Sequence, residues 1–182
     1  AVLVPRNQRG VEVVESLRKR GVEAIELISS TANTRAAAGS LNYLLSYLAD
    51  PQSARKLSKA YEVFRRDWRE DVERMELVKG VGDLIRRLVY VEKFIAPNQA
   101  DDWLSTVGES EADAQRVIEE LKEFRVNVQR WLNAVTLPID QLVLTLAQDV
   151  FTEVSDLALA HKLALVLRKA ADDHKEWRLP EL

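Results

Sequence analysis

Every stretch of this chain that reads as β-strand falls within its first 28 residues, and everything after reads as helix. Val2, Leu3 and Val4 form a short β-prone run ended by Pro5, and the Asn7 to Gly10 stretch is turn-like. Val13, Val14 and Leu17 then follow a helical period, which Gly21 stops. A second β-prone run follows at Val22, Ile25, Leu27 and Ile28. The simplest arrangement is a βαβ unit, two parallel strands joined by a right-handed helical crossover. Parallel sheets are stable when covered on both faces and extended by further strands, and no later segment supplies them. The expectation is therefore that another part of a parent protein, or a second copy of the chain, completes the sheet.

The remaining sequence reads as helix after helix. Ser29 to Thr34 is a polar linker, after which Leu41, Leu44, Leu45 and Leu48 make an apolar stripe terminated by Asp50 and Pro51. Ser53 opens a helix carrying Leu57, Ala60, Tyr61, Phe64 and Trp68. A run of Leu84, Leu88, Val91 and Ile95 follows "KGVGD" and ends before Pro97. Ser110 to Asp113 resembles a capping box before a long helix using Val117, Ile118, Leu121, Phe124, Val128, Trp131 and Leu132. "TLPID" is a sharp break with proline near the first turn of the next helix, which carries Leu142, Val143, Leu146 and Val150. From Glu153 to about His174 the apolar residues are dense enough to predict a central, largely buried helix. The expected fold class is mainly α: an irregular multi-helix bundle preceded by a short parallel βαβ unit. Residues 1–34 would hold the βαβ unit and linker, and residues 35–182 the helical body.

Candidate chemistry is sparse. His161 and His174 have no partners at metal-ligand spacing, and a helix residue with a satisfied ring nitrogen is the better reading of His161. "DDH" at Asp172 to His174 reads as a charged helix terminus. Glu119, Glu120 and Glu123 are compatible with the acidic face of an all-helical nucleotide hydrolase, but no second acidic motif accompanies them, so a solvated face is favoured. No GxxxxGK[ST] loop is present, so the chain has no ATP cradle of its own. With no cysteine, thiol nucleophiles, thiolate metal sites and disulfides are excluded, which fits a reducing compartment. No stretch approaches the roughly 20 apolar residues that span a bilayer, and the start lacks a signal-peptide pattern. A cytoplasmic protein with no membrane partner is expected. No catalytic residue and no metal site are predicted.

Basic residues carry more information. The net charge of −3 argues against a surface devoted throughout to nucleic acid, yet allows a local basic stripe. Arg55, Lys56, Lys59, Arg65, Arg66 and Arg69 are concentrated beside Tyr61, Phe64 and Trp68. Such a mixture can neutralise phosphates while aromatic faces pack or stack. The competing reading has the aromatics facing the core with the arginines snorkelling around them. Lys79, Arg86 and Arg87 form a second basic cluster with Gly80 and Gly82, and glycines before a helix start would let backbone N–H groups approach a phosphate. A helix break or a small-residue packing contact is the plainer explanation of the two glycines.

The opening "VLVPRNQRGVEVVESLRKRGVE" resembles the beginning of the second motor lobe of UvrD/Rep/PcrA-type superfamily 1 helicases, with Val2, Leu3, Asn7, Glu15, Leu17 and Gly21 in step with the family pattern. Arg35 followed by "AAAGSLNYLLSYLADP" is similar to the segment that comes next in that family, and "KGVGD" to its R-G-I-G turn. In the family a helical insertion, the 2B subdomain, follows. The resemblance implies an accessory 2B-like fragment of an ATP-dependent DNA helicase that contacts duplex DNA and gates the motor. ATP and Mg would belong to the parent, with no cofactor in this fragment, and the Ser29 to Thr34 linker would be a hinge. The expected partners are DNA, bound weakly and without sequence preference, and the remaining motor domains. The alternative is a stand-alone helical interaction module that dimerises through its exposed strand edge.

Overall fold

The computed structural model describes residues 13–14, 16–22, 32–98, 101–107, 112–177 and 179. The chain divides into two compact units, Ala1–Arg35 and Ala36–Leu182. Within the first, residues 13–14 and 16–19 are helical and are called α1. This helix closes on Gly21, whose φ of +72° is a left-handed conformation that glycine adopts without a Cβ clash. The Val22 N–H donates to the Leu17 carbonyl and the Gly21 N–H to that of Arg18, each at 3.0 Å, which is the Schellman pattern that ends a helix. The β-prone run at Val2 to Val4, and Ile25, Leu27 and Ile28 of the second run, lie outside the described residues. Among the described residues there is no strand.

The rest is mainly helical: α2 (Ala32–Ala49), α3 (Ala54–Phe64), α4 (Val72–Arg86), the short α5 (Glu92–Ile95), α6 (Ala112–Ala134), α7 (Ile139–Val150) and α8 (Val154–Asp173). Two 3-10 turns, Arg66–Trp68 and Trp103–Thr106, lie between them. Local sequence accounts for most of the boundaries. Ser53 caps α3, its side chain accepting from the Lys56 N–H at 3.3 Å, and Asp71 caps α4 by accepting from the Arg74 N–H at 3.1 Å. Pro138 stands immediately before α7, where its missing N–H costs no helical bond.

Two helix pairs dominate, α3 with α4 and α7 with α8, and α6 packs against α4, α5 and α7. Phe124 of α6 is the hub of the core. Its ring lies 5.1 Å from Tyr61, 5.6 Å from Phe64, 6.2 Å from Trp131 and 6.4 Å from Phe94, at separations where aromatic rings attract beyond simple burial. The fully buried Trp131 donates its indole N–H to Asp149 of α7 at 2.7 Å, so the polar atom of the largest buried side chain is satisfied.

Several expectations are corrected. The linker assigned to Ser29 to Thr34 is helical from Ala32, because α2 begins there. The run Leu84, Leu88, Val91 and Ile95 is not one helix: α4 ends at Arg86 and α5 starts at Glu92, with Leu88 and Val91 buried in the connecting turn. Helix α8 is not largely buried. Asp156, Ala160 and Ala164 are its buried residues, whereas Leu165 and Val166 are 56% and 64% exposed. Its alanines suit close contact along one side only. Ser110 and Glu111 of the capping box lie outside the described residues. No helix among the described residues is long and apolar enough to cross a membrane.

Candidate nucleic-acid interface

The predicted basic residues occupy three different environments. Arg65 and Arg66 point inward from the end of α3. The Arg65 side chain is only 11% exposed, with its Nε 2.7 Å from a Glu120 carboxylate oxygen and a second hydrogen bond to Glu123. Its guanidinium lies 4.3 Å from the centroid of Phe64 and 4.5 Å from that of Trp68. Burial works against the charge, but the hydrogen bonds Arg65 donates to Glu123 and Glu120 outweigh it and hold the Arg65 pKa above its ordinary value. Arg66 bonds Asp156 of α8 at 2.8 Å and lies over the Phe151 ring. Both are structural cross-links between helices.

The aromatic residues are used in the same way. Tyr61 is fully buried, Phe64 packs on Phe124 and Trp131, and Trp68 has the Arg65 and Arg74 guanidinium groups over its ring. Glu120 and Glu123 serve as acceptors for Arg65, while Glu119 accepts from Gln115 at 3.0 Å. Among the described residues, no group of three His, Asp or Glu side chains is placed to hold a metal ion.

Gly80 and Gly82 are also corrected. Both lie inside α4 rather than before a helix start, so their N–H groups are engaged in the helix and form no phosphate cradle. Gly82 is buried against α3, where its carbonyl accepts from the Ser58 hydroxyl at 2.9 Å. A Cβ at Gly82 would sit 3.4 Å from that hydroxyl oxygen, so the residue marks a close helix crossing. Gly80 is exposed, with nothing within 4 Å of its Cβ position. Lys56 is drawn away to Asp50 at 2.9 Å and lines a separate cavity with Asn42, Ile139 and Leu167.

The remaining basic residues converge. A groove of about 340 Å³ between α3 and α4 is lined by Arg69, Lys79 and Arg86 together with Glu62, Asp83, Met75 and Val78. Lys59 joins it through Glu62 at 2.6 Å. Arg55 stands one turn earlier on the same face of α3 as Lys59. Arg87 is exposed at the end of α4. Arg86 bonds Asp83 at 2.8 Å and reaches Glu62 at 3.6 Å. Arg69 and Lys79 make no ion pair among the described residues. The groove thus carries three cations against two carboxylates, over a floor of Met75 and Val78. Exposed ion pairs such as Lys59 with Glu62 are worth about 0–1 kcal/mol, so a phosphate can displace them at little cost.

Glu62 and Asp83 were missing from the sequence reading of this face. Their spacing of three residues from Lys59 and Arg86 was the available signal, since side chains so placed on a helix meet. No protein-family model, curated protein or solved structure matches the chain.

Proposed function

We propose that the chain is an accessory, 2B-like segment of a UvrD/Rep-type ATP-dependent DNA helicase. It contacts duplex DNA through phosphates and gates a motor whose ATP and Mg sites lie in other segments. The observation that carries the DNA-contacting role is the α3–α4 groove, where Arg69 and Lys79 stand without carboxylate partners among the described residues and Arg86 pairs with the exposed Asp83 and the half-buried Glu62. Nucleic-acid backbones bind such cations without sequence preference, releasing counterions as they do so. In this reading the residues before α2 hold the first βαβ corner of a RecA-like lobe. A helix closed at Gly21, lying in sequence between the two β-prone runs, supports this reading. The fragment has no catalytic residues of its own, and a cytoplasmic location accompanies the assignment.

Fluorescence anisotropy on a labelled duplex tests the groove. The expected dissociation constant is about 10⁻⁴ to 10⁻⁶ M at physiological salt, with affinity falling steeply between about 50 and 200 mM salt. Replacing Arg69 and Lys79 by glutamate should lower affinity at least about tenfold and reduce the salt slope by about two. Undetectable or salt-insensitive binding overturns the assignment.

The exposed Leu165 and Val166 of α8 favour a second reading, a helical module that binds other proteins or its own copy. Light scattering separates the two. A tight dimer indifferent to DNA is the outcome for the module, whether the copies meet through α8 or through a strand edge in residues 1–34.

A further inference from the structure

A cavity of about 260 Å³ lies where α2 meets the start of α3, the start of α7 and the end of α8, and it shares no lining residue with the α3–α4 groove. Asn42, Leu45, Ser46 and Ala49 of α2 form one side of it, at the three- and four-residue steps that bring side chains together on a helix. The neighbouring face of α2, with Leu41, Leu44 and Leu48, is buried. Among the described residues α2 belongs to none of the closely packed helix pairs. A helix that stands off from its neighbours leaves space that side chains fill only in part.

The lining combines an aliphatic wall with three polar groups. Leu45, Ala49, Ile139, Leu167 and Leu179 supply the wall. Ser40, earlier on α2, returns its hydroxyl to the Ala36 carbonyl at 2.9 Å, as serines inside helices commonly do. The half-buried Ser46 makes no such bond, and neither its hydroxyl nor the Asn42 amide is hydrogen-bonded to another described residue. Among the described residues Lys56 is the one cation of the lining, and no carboxylate lines it. The Lys56 Nζ lies 2.9 Å from Asp50, and an ammonium has three donors, so two remain. Both side chains of that pair are well exposed, at 40% and 50%, so it yields readily to a second carboxylate.

We propose that this cavity is a binding site for a small aliphatic carboxylate. Lys56, Ser46 and Asn42 take the carboxylate, and Leu45, Ile139, Leu167 and Leu179 enclose the chain. An apolar lining with a few convergent polar groups is the usual make-up of a small-molecule site, the polar groups fixing the orientation. A dry cavity of about 150 Å³ accommodates benzene, so one of about 260 Å³ suits about ten non-hydrogen atoms, the size of octanoate. The charge of Lys56 selects an acid over an alcohol or an amine, because a hydrogen bond between ionised groups is the stronger kind. The unused hydroxyl and amide of Ser46 and Asn42 supply further donors to the same head group. The inference is independent of the DNA-contacting reading above, since the two sites have no residue in common.

Calorimetric titration and thermal melting with octanoate test the site, with octanol and octylamine as head-group controls. The parent protein should bind octanoate with a dissociation constant at or below about 1 mM and melt about 3–5 °C higher at ten times that concentration. Octanol and octylamine should bind at least about tenfold more weakly. Lys56→Gln should lower octanoate affinity about tenfold and bring it level with octanol. Ala49→Leu, which fills the cavity with a residue that helices favour, should abolish binding. Circular dichroism checks that both variants keep the helical fold, and Lys56→Gln alone decides if Ala49→Leu does not. Absence of binding overturns the inference, as does octanol binding equal to octanoate or an octanoate affinity untouched by Lys56→Gln. Octylamine binding more tightly than octanoate would assign the cavity to a cation drawn to Asp50, and overturns it too.

Discussion

Arg65 and Arg66 adjoin in the chain yet bond different helices, one taking Glu120 and Glu123 of α6 and the other Asp156 of α8. Sequence placed both among the phosphate-binding residues because a basic residue beside aromatics looks the same whether it faces solvent or a buried carboxylate. Their partners lie far along the chain, Glu120 at a separation of 55 residues, so no local spacing could disclose the pairing. Asp102 shows the same chemistry where it can be titrated. Its carboxylate takes two hydrogen bonds from Arg125, at 2.5 and 2.9 Å, and one from the Leu104 N–H at 2.9 Å. The Arg125 bonds lower its pKa, burial opposes them, and the Leu104 N–H adds to the lowering. A depressed folded-state pKa contributes stability that is fully present above the unfolded value, about 3.9, and is lost as pH falls through the folded value. We therefore expect Asp102→Asn to melt below the parent at pH 7, with the gap closing below about pH 4. Melting curves at successive pH values check this, and a gap independent of pH would contradict it.

At the scale of helices, the apolar stripes were legible. Leu41, Leu44 and Leu48 are buried on α2, and Leu121, Phe124, Val128 and Trp131 on α6, as their 3.6-residue period predicts. Asp50 with Pro51, Ser53 and Pro138 mark boundaries through chemistry that acts over a few residues, which is why sequence located them. Helix α4 was less legible. Gly80 and Gly82 suggested a break, but Asp71 starts the helix far upstream, and the contact of Ser58 with Gly82 is formed only when α3 arrives. Since a Cβ at Gly80 meets nothing within 4 Å, Gly80→Ala should stabilise the protein by about 0.5–1 kcal/mol by restricting the unfolded chain. Urea titration would show this as a higher midpoint at unchanged slope. Binding of the duplex should be unaffected, because the Gly80 N–H is engaged in the helix.

Across the helical unit, stability rests on the aromatic cluster around Phe124 and on Trp131, which reaches α3 through Phe64 and α7 through Asp149. Trp131→Ala should cost about 3–5 kcal/mol, from the cavity left and from the lost hydrogen bond, measured by denaturant unfolding followed by circular dichroism. A loss below about 1 kcal/mol would mean that the cluster is not central. The candidate interface was legible only in part. Sequence named Arg69, Lys79 and Arg86, but their convergence depends on the packing of α3 on α4. The cross-link from Arg66 to Asp156 also bears on how the protein is made. During synthesis Arg66 leaves the ribosome roughly ninety residues before its partner, about 5–18 s at 5–20 residues per second. For that interval its guanidinium lacks the carboxylate that holds it in the finished protein. A nascent chain stalled before α8 would thus expose a cation that the complete protein conceals.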